Sequence, residues 1–197
     1  MPTTRTLDFL DGTNFTVDAS TCRGCFMNER EDDLPEIIAP VLDDGVITVR
    51  QDAEWPVPGF MVVGIRPHIG SIGDMSLDLA HRVTTVMHVV RRGMRELLDL
   101  NAVQTYQEEK LDRPHFHVWM LPLWKDVMDR HAINPRIYES NITRYLALFD
   151  YRHQREAILS CATKLRGYLR DSELLQHGGL LREPSSSQRG VGSERAW

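Results

Sequence analysis

Apolar positions along this chain fall into blocks whose spacing alternates between the period of a strand and that of a helix. Residues 60–65, Phe-Met-Val-Val-Gly-Ile, form a nearly continuous apolar run preceded by Pro56, Pro58 and Gly59. Such a run predicts a buried central strand. Before it, residues 36–42 and 45–50 read as two short strands, with Asp43-Asp44-Gly45 as the hairpin turn between them. After it comes the clearest helix. Ser76 is a good N-cap, and Asp78 suits the positive end of the helix dipole. Leu79, Val83, Val86, Val90, Met94 and Leu97 then share one helical face. Gly93 within it weakens the helix by about 1 kcal/mol relative to Ala, too little to end so regular a stripe. Residues 102–107 alternate as a strand. Residues 115–122 form another, which puts His115, His117 and Trp119 on one face.

Residues 141–170 predict a second helical region. Leu146, Phe149, Ile158, Cys161, Leu165 and Tyr168 are largely three or four apart, with a gap at 150–156, which suits a helix broken in two. Its other side carries Arg152, Arg155, Lys164, Arg166 and Arg170. It is expected either to narrow an active-site mouth or simply to cover the domain. Residues 1–20 show little periodicity and are expected to be an N-terminal arm, and the acidic stretch 29–33 a loop. The chain from Pro184 is rich in Ser, Gly and Arg and is expected to be disordered.

Composition narrows the function. Hydrophobic residues make up 42% and charged residues 26% of 197 residues, enough for a core in an ordinary globular domain. A net charge of -5 argues against an extended nucleic-acid groove, which needs a clustered excess of Lys and Arg. No apolar run approaches the roughly 18 residues of a membrane span, and no signal-peptide h-region is visible. A cytoplasmic protein is expected. Three cysteines do not make a disulfide framework, so a close pair is metal-binding or redox.

That pair is Cys22-Arg-Gly-Cys25. A thioredoxin-like redox pair would sit on a βαβ unit, which is not evident here. A zinc ribbon needs a second Cys pair, and only Cys161 remains. Zinc would otherwise need two histidines, and His68 after one predicted strand and His115 at the start of another are available. Spacing alone leaves this open beside a plain loop histidine at position 68.

The stretch Pro114-His-Phe-His-Val-Trp-Met-Leu-Pro122 resembles the histidine-triad signature, His-x-His-x-His followed by apolar residues and Pro. The other pieces stand in that family's order: the Cys pair near the start, Asp52-Ala-Glu-Trp-Pro-Val-Pro-Gly59 like its Asp-to-Pro-Gly turn, the Gly59-to-His68 segment, then a long helix. The resemblance covers residues 22–122. It implies an α+β fold, a histidine-triad-like antiparallel β-sheet with a long packed helix and, here, a helical C-terminal extension. The implied division is residues 1–20 arm, 21–126 zinc-binding domain, 127–175 extension and 176–197 tail.

In zinc-bearing members the matching positions hold the metal, which implies Cys22, Cys25, His68 and His115 as ligands. Four protein ligands leave no open position, so the zinc is structural. The family's middle histidine, here His117, is the nucleophile that forms a nucleotidyl-histidine. The implied reaction is hydrolysis or transfer at a nucleoside 5'-phosphoryl bond of a dinucleoside polyphosphate or phosphoramidate. Asp52 matches the ribose-binding Asp, with a turn-forming role as the plain alternative. Two positions depart from the pattern. Trp119 stands at the third triad position and keeps one N–H donor but cannot exchange a proton. Asp112 takes the place of a phosphate-contacting hydroxyl, where its charge repels a phosphoryl oxygen unless Lys110 and Arg113 offset it. Gln104 is a candidate substitute for the family's Asn.

These departures keep a rival in view, a non-catalytic nucleotide-binding or interaction module on the same zinc scaffold. A redox protein using the Cys pair is the third reading. Trp55 and Phe26 are candidates to pack on a base or to sit in the core. His81 and His88 read as surface or interface positions, while His131, His153 and His177 have no assigned role. The family commonly forms twofold dimers, and the breadth of the apolar face from Leu79 to Leu97, bordered by Met87 and Leu98, supports a homodimer.

Overall fold

The computed structural model describes residues 3–133 and 139–177. In chain order the elements are β1 (Thr4–Asp8), β2 (Asn14–Asp18), α1 (Arg23–Glu29), β3 (Leu42–Asp43), β4 (Ile47–Gln51), β5 (Met61–Ile65) and α2 (Leu77–Leu98). They continue with β6 (Val103–Gln107), β7 (His117–Pro122), α3 (Lys125–His131), α4 (Glu139–Leu146), α5 (Tyr151–Arg170) and α6 (Glu173–His177). The main sheet has five strands in the order β3-β4-β5-β7-β6, all antiparallel. This is the expected α+β architecture with a long helix on an antiparallel sheet.

One face of the sheet is core and the other is a pocket, and strand alternation sorts the residues between them. Ile47, Val49, Met61, Val63, Ile65, Val118 and Met120 pack with α2. Thr48, Arg50, Val62, Gly64, His117 and Trp119 point the opposite way and line the pocket. Cross-strand register aligns them in two rows, Thr48–Gly64–His117 and Arg50–Val62–Trp119. The apolar run at 60–65 is therefore the central strand that was predicted, but its second face serves as a floor, not as core.

Ser76 caps α2 by accepting from the Leu79 N–H at 3.2 Å, as expected. The buried face differs from the predicted one. It contains Val83, Val86, Val89, Val90, Gly93, Met94 and Leu98, whereas Leu97 is 37% exposed. Two partners rather than one explain the shift: the sheet on one side and α5 on the other. A side chain at Gly93 would lie 2.9 Å from Tyr168 and 3.0 Å from Leu165, so this glycine permits close helix–helix approach. Part of the α2 apolar surface, the ground for expecting a dimer, is thus covered from within the chain, while Leu97 stays exposed. Helix α5 buries Ile158, Cys161, Ala162, Leu165 and Leu169, and among the described residues none of α5 lines the pocket. The extension covers the domain instead of narrowing its mouth. The break predicted within it is real, and Asp150 caps α5 by accepting from the Arg152 N–H at 2.8 Å.

Three expectations need correction. Residues 4–18 are not an arm but a β-hairpin turning at Asp11-Gly12, where Gly12 has φ 90°. Leu7 and Phe9 pack with Phe26, Ile37, Ile38 and Ile158. Residues 36–38 form a 3-10 turn where a strand was expected, and β3 shrinks to two residues. Ile37 and Ile38 are both buried, which consecutive residues of a strand with one solvated face cannot be, and Pro35 and Pro40 remove donors on either side. The acidic loop at 29–33 is instead the end of α1 and a 3-10 turn, Glu31–Asp33. The tail from residue 184 lies outside the described residues. Among the described residues no helix is long and apolar enough to cross a membrane.

Candidate metal centre and active-site pocket

Three elements bring the Cys and His residues together. Cys22 is the residue before α1 and Cys25 lies in its first turn; His68 follows β5 and His115 precedes β7. Their ligand atoms all lie within 4.8 Å of one another. His115 Nδ1 is 3.3 Å from Cys22 Sγ and 3.6 Å from Cys25 Sγ, and His68 Nδ1 is 3.2 Å from Cys25 Sγ. Ligands placed about 2.0–2.3 Å from a metal at tetrahedral angles are about 3.3–3.8 Å apart, and these three separations lie close to that range. The tautomer fits too. His115 Nε2 donates to the Ile65 carbonyl at 2.8 Å, which leaves Nδ1 as the lone-pair nitrogen facing the sulfurs. Fixing a ligand histidine through its far nitrogen is the usual outer-shell device. Burial pushes the Cys25 thiol up to about 11, helped by its hydrogen bond to Cys22 and by the Cys22 charge. A divalent cation is the group that offsets such a penalty.

Gly24 is indispensable to this packing. A Cβ there would lie 2.6 Å from one His115 ring atom and 2.8 Å from two others, Nδ1 among them. The residue between the cysteines must be bare for the imidazole to reach them.

Beside this cluster a cavity of about 460 Å³ opens over the polar face of the sheet. His117 stands at its floor, half-buried, with Nδ1 donating to the His115 carbonyl at 2.9 Å. A carbonyl only accepts, so Nδ1 carries the proton and Nε2 the lone pair. Burial lowers the His117 pKa, and the Lys110 charge acts the same way; both favour the neutral ring. Trp119 meets His117 edge-on with centroids 4.8 Å apart. Lys110 Nζ stands 6.0 Å from the Trp119 ring centroid, within cation–π range. Arg113, held at φ 50°, pairs with Asp112. The carboxylate that would repel a phosphoryl oxygen is thus answered by its neighbour.

Asp52 is buried, and its Oδ1 accepts from the Glu54 and Trp55 N–H groups at 2.9 and 2.7 Å. Desolvation raises its pKa to about 6 against those two hydrogen bonds. It forms the turn and lines the pocket at once. The cavity wall also carries Arg5, Arg23 and Arg50. Arg23 is paired with Glu54 at 2.6 Å, Lys110 with Glu108 at 3.3 Å, and Arg50 stands 3.8 Å from Glu31, so the lining carries five cationic side chains, several of them paired, against the carboxylates of Asp52, Glu54 and Asp112. In a chain of net charge -5, this is a locally cationic pocket.

Of the predicted site residues, His117, Asp52, Lys110, Asp112, Arg113 and Trp119 come together around the cavity. Gln104 does not. It lies on β6 opposite Leu121 and accepts from the Tyr106 hydroxyl, one row beyond the pocket. Phe26 is core, against Phe15, and Trp55 is 37% exposed away from the cavity lining. His81, His88, His131 and His153 are exposed. Arg5, Arg23, Thr48 and Arg50 were not foreseen. For Arg50 a signal existed: a charged residue at the alternate position of a strand whose neighbours Ile47 and Val49 are apolar.

No family model matches the sequence, and no curated protein matches it. Solved structures do match by fold. A hypothetical histidine triad nucleotide-binding protein from Sulfolobus tokodaii aligns with TM-score 0.52 at 18% identity, over 76% of this chain and 93% of that one. A Zn-bound histidine triad family protein from Mycobacterium smegmatis aligns with TM-score 0.49 at 14% identity, over 75% and 96%. The first of these shows that the fold is shared.

Proposed function

From this histidine-triad fold we propose that the chain binds a nucleoside 5'-phosphoryl compound and cleaves its phosphoryl bond through His117. The observation that carries the reading is the His117 ring, held by its Nδ1–H so that an unprotonated Nε2 stands in a cation-lined cavity. A neutral imidazole in that tautomer is the nucleophile such chemistry requires. Nε2 attacks phosphorus, the bond to the leaving group breaks with its electrons, and a nucleotidyl-histidine remains. Water then attacks the same phosphorus, releases the nucleotide and restores the neutral ring. Lys110 and Arg113 stabilise charge on the phosphoryl oxygens, and Asp52 accepts hydrogen bonds from the ribose. Trp119 cannot protonate a leaving group. That favours a polyphosphate, which departs as an anion, over an amine, which needs a proton.

Zinc fits the Cys22, Cys25, His68 and His115 donor set. With four protein ligands it supplies a cross-link and no open coordination position, joining the start of α1 to the strand that carries His117. Bound thiolates are also withdrawn from redox chemistry, which disfavours the redox reading.

Incubation with a panel of nucleoside polyphosphates and phosphoramidates, followed by intact-mass measurement, tests the proposal. A mass increment of one nucleotidyl group in the wild type and none in His117→Ala is the expected result. Nucleotide binding with no adduct and no turnover would favour the second reading, a binding module, which the packing of Trp119 on the nucleophile's ring supports.

A further inference from the structure

We infer that Arg5, delivered by the N-terminal hairpin, binds a second phosphoryl group of the nucleotide, so that the site takes nucleoside diphosphates and longer polyphosphates in preference to monophosphates. This rests on the nucleotide reading above and adds to it the residue that reads phosphate number. Strand alternation puts Arg5 on the same face of β1 as Leu7. Leu7 packs with Phe26, Ile37 and Ile158, so that face is turned into the domain, while Thr4, Thr6 and Asp8 on the other face are exposed. Arg5 is therefore an inward-facing charge, half-buried and part of the cavity wall. Its Nη2 donates to the Thr21 carbonyl, which fixes the guanidinium next to Cys22, another residue of that wall. The Nε–H is buried, but Nη1 keeps accessible surface and makes no hydrogen bond among the described residues.

Charge sets Arg5 apart from the other cations of the cavity. Arg23 pairs with Glu54, Lys110 with Glu108 and Arg113 with Asp112, and Arg50 stands 3.8 Å from Glu31. Among the described residues Arg5 has no carboxylate partner. A guanidinium stays charged at any ordinary pH, and a cation drawn partly out of water destabilises the fold until an anion offsets it. Its planar fork of N–H donors matches phosphate oxygens. The chemistry at His117 says which phosphate. Trp119 brings no proton to a leaving group, so the group that departs carries its own negative charge, as a phosphate does. Lys110 and Arg113 are already tied to carboxylates of their own loop. The charge of a further phosphoryl group falls to Arg5, which comes from a different element and lies ahead of the stretch that resembles the histidine-triad family.

Calorimetric titration of the whole protein with AMP, GMP and their α,β-methylene diphosphates, without added divalent cations, tests this; the methylene bridge prevents cleavage between the phosphates. The diphosphate analogues are expected to bind at least about tenfold more tightly than the monophosphates, the worth of one hydrogen bond to a charged group. In Arg5→Gln that ratio should drop to within about threefold while the monophosphate affinities hold within about threefold. Arg5→Lys keeps the charge and loses the fork, so its ratio should fall between the two. Should Arg5→Gln not fold, the wild-type ratio and Arg5→Lys decide, and an undiminished ratio in Arg5→Lys would overturn the inference. A ratio that survives Arg5→Gln, or diphosphates no tighter than monophosphates in the wild type, would overturn it and leave the nucleotide reading standing. Equal loss of both affinities in Arg5→Gln would also overturn it, since Arg5 would then hold the hairpin and not the phosphate. No binding of any of the four at millimolar concentration would overturn both.

Discussion

Replacing Gly24 by Ala probes the metal centre without touching a ligand. The added Cβ would lie 2.6 Å from one His115 ring atom and 2.8 Å from Nδ1. Ordinary van der Waals separation requires the ring to withdraw by about 0.8 Å, several times the roughly 0.2 Å tolerance of a metal–ligand distance. Withdrawal also strains the Nε2 hydrogen bond to Ile65, which sets the tautomer. Loss of an outer-shell partner alone costs 10–100-fold in affinity, so the combined effect should reach at least about 100-fold, or about 2.7 kcal/mol. Because metal-binding free energy at such sites is folding free energy, the melting temperature in saturating zinc should fall by about 5–10 °C. In chelator the two proteins should melt within about 2 °C, since an unliganded His115 is free to rotate. A chromophoric chelator in competition measures the affinity and calorimetry the melting. Gly167→Ala is the control: a Cβ there meets nothing within 4 Å on α5, so it should stabilise by up to about 1 kcal/mol. Wild-type zinc affinity in Gly24→Ala would refute the geometry, because His115 could not then be a ligand from the position described.

Asp52 gives a pH signature. Its folded pKa is raised to about 6 by burial, so the native state binds its proton more tightly than the unfolded one, and stability falls as pH rises from about 4 to about 6. Urea unfolding of Asp52→Asn should show a gain over wild type at pH 8 that disappears at pH 4; the opposite trend would mean that the ionised carboxylate is stabilised. Tyr145 donates to the Pro122 carbonyl at 2.8 Å and accepts from the Trp124 N–H at 2.9 Å. Tyr145→Phe leaves both without that partner and should cost about 1–3 kcal/mol in chemical denaturation; a neutral result would show that α4 does not dock on the end of β7. Cys161 is 7% exposed, and burial pushes its thiol up to about 11. Native protein should therefore yield two thiols to a chromogenic reagent after chelation and none from Cys161; a third fast thiol would show that α5 opens readily.

Local pattern made part of this molecule legible and long-range packing hid the rest. The apolar run at 60–65, the capped stripe after Ser76 and the alternation around His117 each need only their own neighbours to be read, and each forms the predicted type of element, although the faces of the first two are used differently. The Cys22, Cys25, His68 and His115 cluster was anticipated through the family resemblance, since spacing alone left it open, and the structure brings those four residues together. Gly93, by contrast, looks in the sequence like a local weakness in a helix. Its reason is the passage of Tyr168 and Leu165 some 70 residues later, and that same contact covers part of the broad α2 face on which a dimer was expected. The hairpin at 4–18 was missed because its strands carry polar residues on the open side, so only Asp11-Gly12 marks the turn. Gln104 failed for a third reason: the right residue type lies one strand row too far out, which spacing along the chain cannot register.

The two departures from the triad pattern belong together. A third histidine would bring both a hydrogen-bond donor and a proton to the phosphoryl group, and Trp119 brings no exchangeable proton. What the loop before β7 brings instead is two cations, Lys110 and Arg113, each paired with a carboxylate of the same loop, Glu108 and Asp112. Lys110 stands over the Trp119 ring, and Arg113, turned by its left-handed backbone, neutralises Asp112. Trp119 also packs against His117 edge-on, so the indole fixes the nucleophile's ring while providing the face on which Lys110 rests. In the proposed reaction Lys110 and Arg113 keep electrostatic stabilisation of the phosphoryl oxygens while proton donation to the leaving group is lost. On the proposed reading the two changes act together, favouring leaving groups that depart as anions, and Trp119→His without a change in the loop is expected to add a donor without improving turnover of such a substrate.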